Sequence, residues 1–421
     1  MAIRNFLGFE GGSSIEDLIS VLGNDTYVTD DKHSGDYAMK ITHPGSGNSG
    51  LRIGLIHETN GTSGASALNT HYGVLYFKYS ALPTGSTFNL FYLLTSANAI
   101  LMRFGISTTG KIFLQGSTSA DTGLQTTPNQ WHRMEWFQNG SGGACAIRLD
   151  GVDGVLTATA TAGDIARGQI GNAGSGDALN VWYDDFALSD SDWIGPVSIW
   201  RLDPNGAGAS TAWTGTYEDV DEAPNDGDTT YLTSSTSGET ETVQCETLES
   251  ATGSAAFAEA AGAEILAVKT HAVVRDEGGA ALVQVRLTAD SVSDDTVSND
   301  PGATYADRSK VYTQTPNTTN WTEALLDGAE VGVDNAASVA IRCTQLFLTV
   351  LVVGSMVYVG PTDADLALAS GTTYSGDYGK SYSGSGTLGL NASATYSHRP
   401  VDQRFVLRAD TNRPTVTLTK G

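Results

Sequence analysis

Among the groups in this chain that can do chemistry, the carboxylates come first, and their spacing is informative. Glu16 and Asp17 are adjacent, as are Asp184 and Asp185, and neighbours on a strand point to opposite faces. Glycoside hydrolysis needs two carboxylates about 5 to 10 Å apart across a sugar cleft, which neither pair supplies as a strand. Hard oxygen ligands in number can instead hold a structural Ca2+ ion. The candidates are Asp184 and Asp185 at a strand end, and Asp219, Asp221, Glu222, Asp226 and Asp228 in one loop. The loop carboxylates can equally cap Asx turns in solvent. No other cofactor is expected.

Aromatic side chains are the second group. Sugar binding needs flat platforms and polar hydrogen-bonders on an exposed face, and Trp131, Trp136, Trp182 and Tyr183 are the candidates. A Trp in a sandwich strand can also be core. His57-Glu-Thr-Asn60 lacks the second His of a zinc protease motif, and no His falls in a ligand-like cluster with Cys. Gly384-Ser-Gly-Thr-Leu-Gly389 matches a nucleotide-loop pattern by letter, but it lies in Gly/Ser-rich sequence with no helix to follow.

The elements that must position these groups are strands. Short apolar runs alternate with turn residues, Gly numbers 49, and charged residues make up 17% of the 421, the composition of an all-β chain. Leu101–Ile106 and Lys111–Leu114 read as a hairpin across Thr109-Gly110, and Gln130–Phe137 has period two, with His132, Met134 and Trp136 on one face. Only Ser14 to Val21 suggests a short helix. The net charge of −24 argues against a nucleic-acid partner. Of the acid, 24 Asp/Glu against 6 Lys/Arg lie between residues 202 and 353. Cys145, Cys245 and Cys343 are an odd set without a C-x-x-C pair, which suits a reducing compartment. Met1–Phe6 does not read as a secretory leader, and the apolar run 345–359 is too short and too interrupted to insert in a membrane.

Trp131-His-Arg-Met-Glu-Trp136, Ile147-Arg-Leu-Asp-Gly151 and Trp182-Tyr-Asp-Asp-Phe186, in that order, resemble the back half of a concanavalin A-like lectin/glucanase jelly roll. Retaining glucanases of that family commonly carry Glu-x-Asp-x-x-Glu, which this chain lacks. Trp213–Glu222 with Asp226–Tyr231, then Pro316–Val353 with Trp321 and Glu330-Val-Gly-Val333, resemble a β-sandwich module of tailed-bacteriophage structural proteins. The expected organisation is a jelly roll over 1–192, a phage-type sandwich over 197–354, and a small β segment or arm over 355–421. These resemblances imply a non-enzymatic component exposed on the surface of a phage virion. A tail-fibre or tail-tip adhesin contacting a host cell-surface glycan is the first reading. A capsid decoration protein and a glycan depolymerase are the alternatives. Other virion proteins and further copies of the chain are the expected partners.

Overall fold

A computed structural model describes residues 3–12, 18–45, 49–55, 68, 70–154, 158–172, 177–252, 264–279 and 281–354. It also describes the backbone of four short strands beyond residue 354. Among the described residues the helical turns are Tyr217–Asp219, Leu248–Thr252 and Glu323–Asp327, and the rest of the regular structure is strand. None of these helices is long and apolar enough to cross a membrane. The chain is all-β, with two consecutive β-sandwiches, the jelly roll first.

In the first sandwich, sheet I runs in the order Val152–Asp153, Cys145–Leu149, His132–Gln138, His71–Tyr79, Ala178–Ser189, Ala38–Pro44, Asp25–Val28, and Ile3–Leu7 also pairs with Ala178–Ser189. Sheet II runs Ser119–Gln125, Lys111–Gln115, Ile100–Ile106, Phe88–Leu94, Arg167–Ile170, Gly50–Gly54, Leu18–Gly23. The expected helix is corrected here. Leu18–Gly23 pairs with Gly50–Gly54 as an edge strand, and the rest of that prediction, 14–17, lies outside the described residues. Alternating side chains fill the space between the sheets. Trp136 is fully buried, its ring centroid 5.1 Å from Phe91, 5.4 Å from Phe104 and 6.2 Å from Phe186. Its register partner must be glycine, because a Cβ on Gly73 would lie 2.1 Å from the indole.

The second sandwich has sheet III, ordered Val197–Leu202, Ile341–Val353, Glu264–Asp276, Ala306–Tyr312, with Leu232–Ser234 also on Ile341–Val353. Sheet IV is ordered Pro204–Thr211, Thr240–Cys245, Glu330–Asn335, Val283–Ala289, Val292–Asp295. The stretch Pro316–Val353 closes this sandwich as packing residues. Trp321 is buried and donates its Nε1 hydrogen to Tyr312 O at 3.0 Å. Val331 and Val333 are core, and Ile341–Val353 is an interior strand of sheet III.

Sheet I is covered on its outer face too. Ile3, Phe6, Val74, Tyr76 and Ala187 pack against Ile194 of the connecting segment and against Val197, Ile199, Ala267 and Leu351 of the second sandwich. The buried Lys269 donates across this join to Asn5 Oδ1 at 3.2 Å and Phe6 O at 3.3 Å. The layers therefore follow in the order II, I, III, IV, within one compact unit spanning Met1–Thr252 and Glu264–Gly354. Gly253–Ala263 and Ser355–Gly421 make the second unit. In it Val357–Tyr358 pairs in parallel with Ser381–Tyr382, and Phe405–Ala409 pairs antiparallel with Val416–Lys420.

Candidate functional site

Asp184 and Asp185 do not point apart. The register of Ala178–Ser189 on His71–Tyr79 shifts after Asp184, and Asp185 takes a left-handed backbone with φ 44°. This β-bulge turns both carboxylates, fully buried, onto the turn at His33 and Ser34. Asp184 Oδ2 accepts from the His33 amide at 2.7 Å and the Ser34 amide at 3.2 Å. Asp185 Oδ1 accepts from Ser34 Oγ at 2.6 Å and from the Ile199 amide at 2.8 Å, and its Oδ2 meets His33 Nδ1 at 2.5 Å. Burial, with the Asp185 charge second, holds the Asp184 carboxyl well above the usual carboxylate range. Protein donors saturate the pair, which is a strut between the two sandwiches.

The acidic loop is likewise engaged by the protein. Asp219 Oδ2 accepts from the Thr216 amide at 2.7 Å and caps the Tyr217–Asp219 turn. Asp226 accepts from the Thr230 amide and from the hydroxyls of Thr230 and Thr344. Asp228 takes the Tyr305 hydroxyl, with Arg275 at 2.7 Å and Arg342 at 3.0 Å, and these donors hold its carboxyl below the usual range. Burial, chiefly, raises Asp221. Among the described residues no three His, Cys, Asp or Glu side chains gather as metal ligands, and of the carboxylates expected to hold calcium, Asp184, Asp185, Asp219, Asp226 and Asp228 are engaged by protein donors, while Asp221 is partly buried. Cys145, Cys245 and Cys343 are buried free thiols. His57–Asn60 and Gly384–Gly389 lie outside the described residues.

Two of the four aromatic platform candidates lie between the sheets. Trp136 is core, and so is Tyr183, whose hydroxyl donates to Leu90 O at 2.8 Å and accepts from the Gly171 amide at 3.2 Å. Trp131 and Trp182 stay half-buried on the outer face of sheet I. They belong to one cross-strand row, in which Lys40 and Lys78 both pair in register with Trp182 and Trp131 precedes the His132–Phe77 pair. The ammonium groups of Lys40 and Lys78 lie 5.2 and 5.1 Å from the Trp182 ring centre, and Lys78 lies 5.9 Å from that of Trp131. Lys78 also pairs with both Asp31 carboxylate oxygens. Trp131 leans on the join between the sandwiches. These rings are already partnered by cations, an arrangement that fastens strands together.

The opposite face offers a different surface, one the sequence reading missed. Ile112 and Leu114 of Lys111–Gln115 point into the core, so Lys111, Phe113 and Gln115 point outward from sheet II. The Phe113 ring lies against Gly105, where a Cβ would sit 2.3 Å from the phenyl ring and 2.4 Å from Phe88 O. Beside the ring is a groove of about 320 Å3 lined by Ser107, Thr109, Lys111, Phe113, Ser119 and Asp121, with Lys111 and Asp121 paired at 3.2 Å. From Gln115 a row runs inward across the sheet in register: Arg103, Tyr92, Gln169, Arg52. Arg52 Nε donates to Gln169 Oε1 at 3.0 Å, and Arg103 Nε donates to Gln115 Oε1 at 2.7 Å. Tyr92 donates its hydroxyl to Asn172 Oδ1 at 3.3 Å. A half-exposed aromatic ring, a groove and hydrogen-bonding side chains thus share one face.

No protein-family model matches the chain, and no curated protein matches it. Solved structures similar to it include an endo-β-1,4-glucuronan lyase from the fungus Trichoderma reesei, 13% identical over 45% of this chain and 96% of that chain, with a TM-score of 0.35. Domain 4 of a GH43 extracellular arabinanase from Geobacillus stearothermophilus, in complex with arabinotriose, is 16% identical over 45% of this chain and 92% of that chain, with a TM-score of 0.31. A carbohydrate esterase from the Shiga toxin-encoding bacteriophage phi24B is 18% identical over 40% of this chain and 88% of that chain, with a TM-score of 0.30. The expectation that the chain is not an enzyme is corrected by this finding, since the similar structures are those of a lyase, an arabinanase domain and an esterase. Likenesses of this strength carry none of those activities over to this chain.

Proposed function

We propose that the first sandwich binds a glycan across the outer face of sheet II, with Phe113 as the platform on which a sugar ring stacks. The observation that carries this reading is the half-exposed phenyl ring packed against Gly105 and lining a polar groove. Carbohydrate recognition combines an apolar ring face with convergent hydrogen-bonding groups, and this face supplies both. Sheet I is unsuited to the task, because its outer face is taken up by the join and by the lysine-capped tryptophans.

Phe113→Ala is expected to weaken glycan binding about tenfold or more, as loss of a buried stacking contact does, with little change in melting temperature because the ring is half-exposed. Array screening followed by calorimetry on the full chain measures it. Unchanged affinity in Phe113→Ala, together with lost affinity in Trp182→Ala, would move the ligand to sheet I.

The finer role we propose is that of an adhesin mounted on a phage particle through the second sandwich. The resemblance of Asp226–Tyr231 and Pro316–Val353 to phage modules supports it. So does the layer order, which puts the sheet II face farthest from sheets III and IV. Immunogold labelling of particles tests this role, and label on the capsid shell rather than the tail would reject it.

A further inference from the structure

We infer that the ligand of sheet II is a carboxylated glycan, a polymer or oligomer of uronate or other acidic sugars, held by Arg52, Gln169 and Arg103 beside the Phe113 platform. This rests on the glycan-binding reading and names the substrate class within it.

Charge is the first argument. The chain carries 47 acidic against 23 basic residues, and its other arginines commonly sit on carboxylates: Arg133 on Glu135, Arg148 on Asp153, Arg286 on Asp295. Among the described residues Arg52 and Arg103 do not. Each is oriented through Nε by a glutamine carbonyl oxygen instead. An amide aims a guanidinium without neutralising it, so two full positive charges are kept on the surface of an acidic protein. In such a chain the absence of a carboxylate partner cannot come from a shortage of acids.

Geometry is the second. Arg52, Gln169, Tyr92 and Arg103 stand on four neighbouring strands in one register row. Three strand spacings of about 4.8 Å put the backbones of the two arginines about 14 Å apart, a span that a short oligosaccharide can bridge. Between them Gln169, 2% exposed, spends Oε1 on Arg52, while its buried Nε2 has no partner among the described residues. A buried donor without an acceptor is costly, and a ligand carboxylate laid along the row would satisfy it together with the Arg52 fork. Planar, bidentate recognition of a carboxylate is what a guanidinium does best. Phe113, one strand beyond Arg103 and adjacent to Gln115 along the outward face of its strand, then takes the apolar side of the next ring.

The test uses the full chain and three probes: oligogalacturonate, its carboxyl-reduced counterpart, and a sulfated polysaccharide. Calorimetry at low and high salt should show oligogalacturonate bound at least about tenfold more tightly than the reduced form. Arg103→Gln and, independently, Arg52→Gln should bring that ratio towards one, by lowering affinity for oligogalacturonate far more than for the reduced form. Two separate sites guard against one variant failing to fold. Equal binding of carboxylated and reduced oligomers by the wild type would overturn the acidic-sugar inference and leave glycan binding intact. Absence of binding to every glycan would overturn both. Tighter binding of the sulfated polymer than of oligogalacturonate, unaffected by either substitution, would mark nonspecific polyanion attraction and reject the carboxylate site.

Discussion

Replacing Asp185 with alanine is expected to lower the unfolding free energy by about 3 to 5 kcal/mol, the range for removing one member of a buried charged network. Three donors lose this acceptor together, Ser34 Oγ, the Ile199 amide and His33 Nδ1, and between Ser34 and Ile199 the mutual contacts of Ser34 Oγ with Ile199 O and the Ile199 amide remain. Ile199 belongs to sheet III while Ser34 and His33 belong to the first sandwich, so the loss falls on the join itself. Asp184 offsets part of it, because removing Asp185 relieves the like charge that helps to raise its carboxyl. Asp185→Asn keeps an oxygen for the Ile199 amide and should cost less than half as much. Denaturant unfolding followed by tryptophan emission and by far-ultraviolet circular dichroism measures both variants. The wild type should unfold in one coincident transition, whereas in Asp185→Ala the two probes should separate as the sandwiches uncouple. An alanine variant within about 1 kcal/mol of the wild type would show that the buried pair is not a strut.

The contrast between these carboxylates and the sheet II face shows what a sequence makes visible. Alternation in Leu101–Ile106 and Lys111–Leu114 marks the hairpin, and it already assigns Met102, Phe104, Ile112 and Leu114 to the core. It also turns Phe113 and Gly105 outward. Only the pairing register sets the ring over the glycine, and nothing local announces that. Arg52 and Gln169 come from strands far apart in the chain, so their meeting with Arg103 is a property of topology. The tryptophans illustrate the same limit. Period two separates Trp136 from Trp131, but which face is core depends on where sheet II packs. Asp184 and Asp185 were read as pointing apart because no glycine or proline signals the bulge that brings them together. The strands of Pro316–Val353 are legible, since a strand of alternating Val and a long apolar strand follow the Trp in sequence order, whereas the helical turn Glu323–Asp327 just after the Trp carries no such signal.

Acid should expose a second buried group. His71 is fully buried on the inner face of sheet I, opposite Gln138 in register, with Cys145 next along the same row. Neither ring nitrogen has a hydrogen-bond partner among the described residues, and neither does Gln138 Oε1. Burial lowers the imidazole from its ordinary 6.5 to about 3. Its folded value thus lies below its unfolded value, so the unfolded chain takes up the proton first. The stability that His71 contributes while neutral is complete above pH 6.5, and it is lost as pH falls through the window from 6.5 towards 3. At about 1.4 kcal/mol per pH unit the loss is about 2 kcal/mol by pH 5. Asp184 works in the opposite direction, because its raised carboxyl makes the folded state the better proton acceptor as pH falls. The measurable quantity is therefore the difference between the wild type and His71→Leu, in which Asp184 cancels. At pH 7 the leucine variant should be about as stable as the wild type, since the histidine it replaces has unpaired nitrogens. By pH 5 it should be the more stable chain by about 2 kcal/mol. Parallel stability curves for the two proteins between pH 7 and pH 5 would mean that this imidazole is reached by solvent in the folded state.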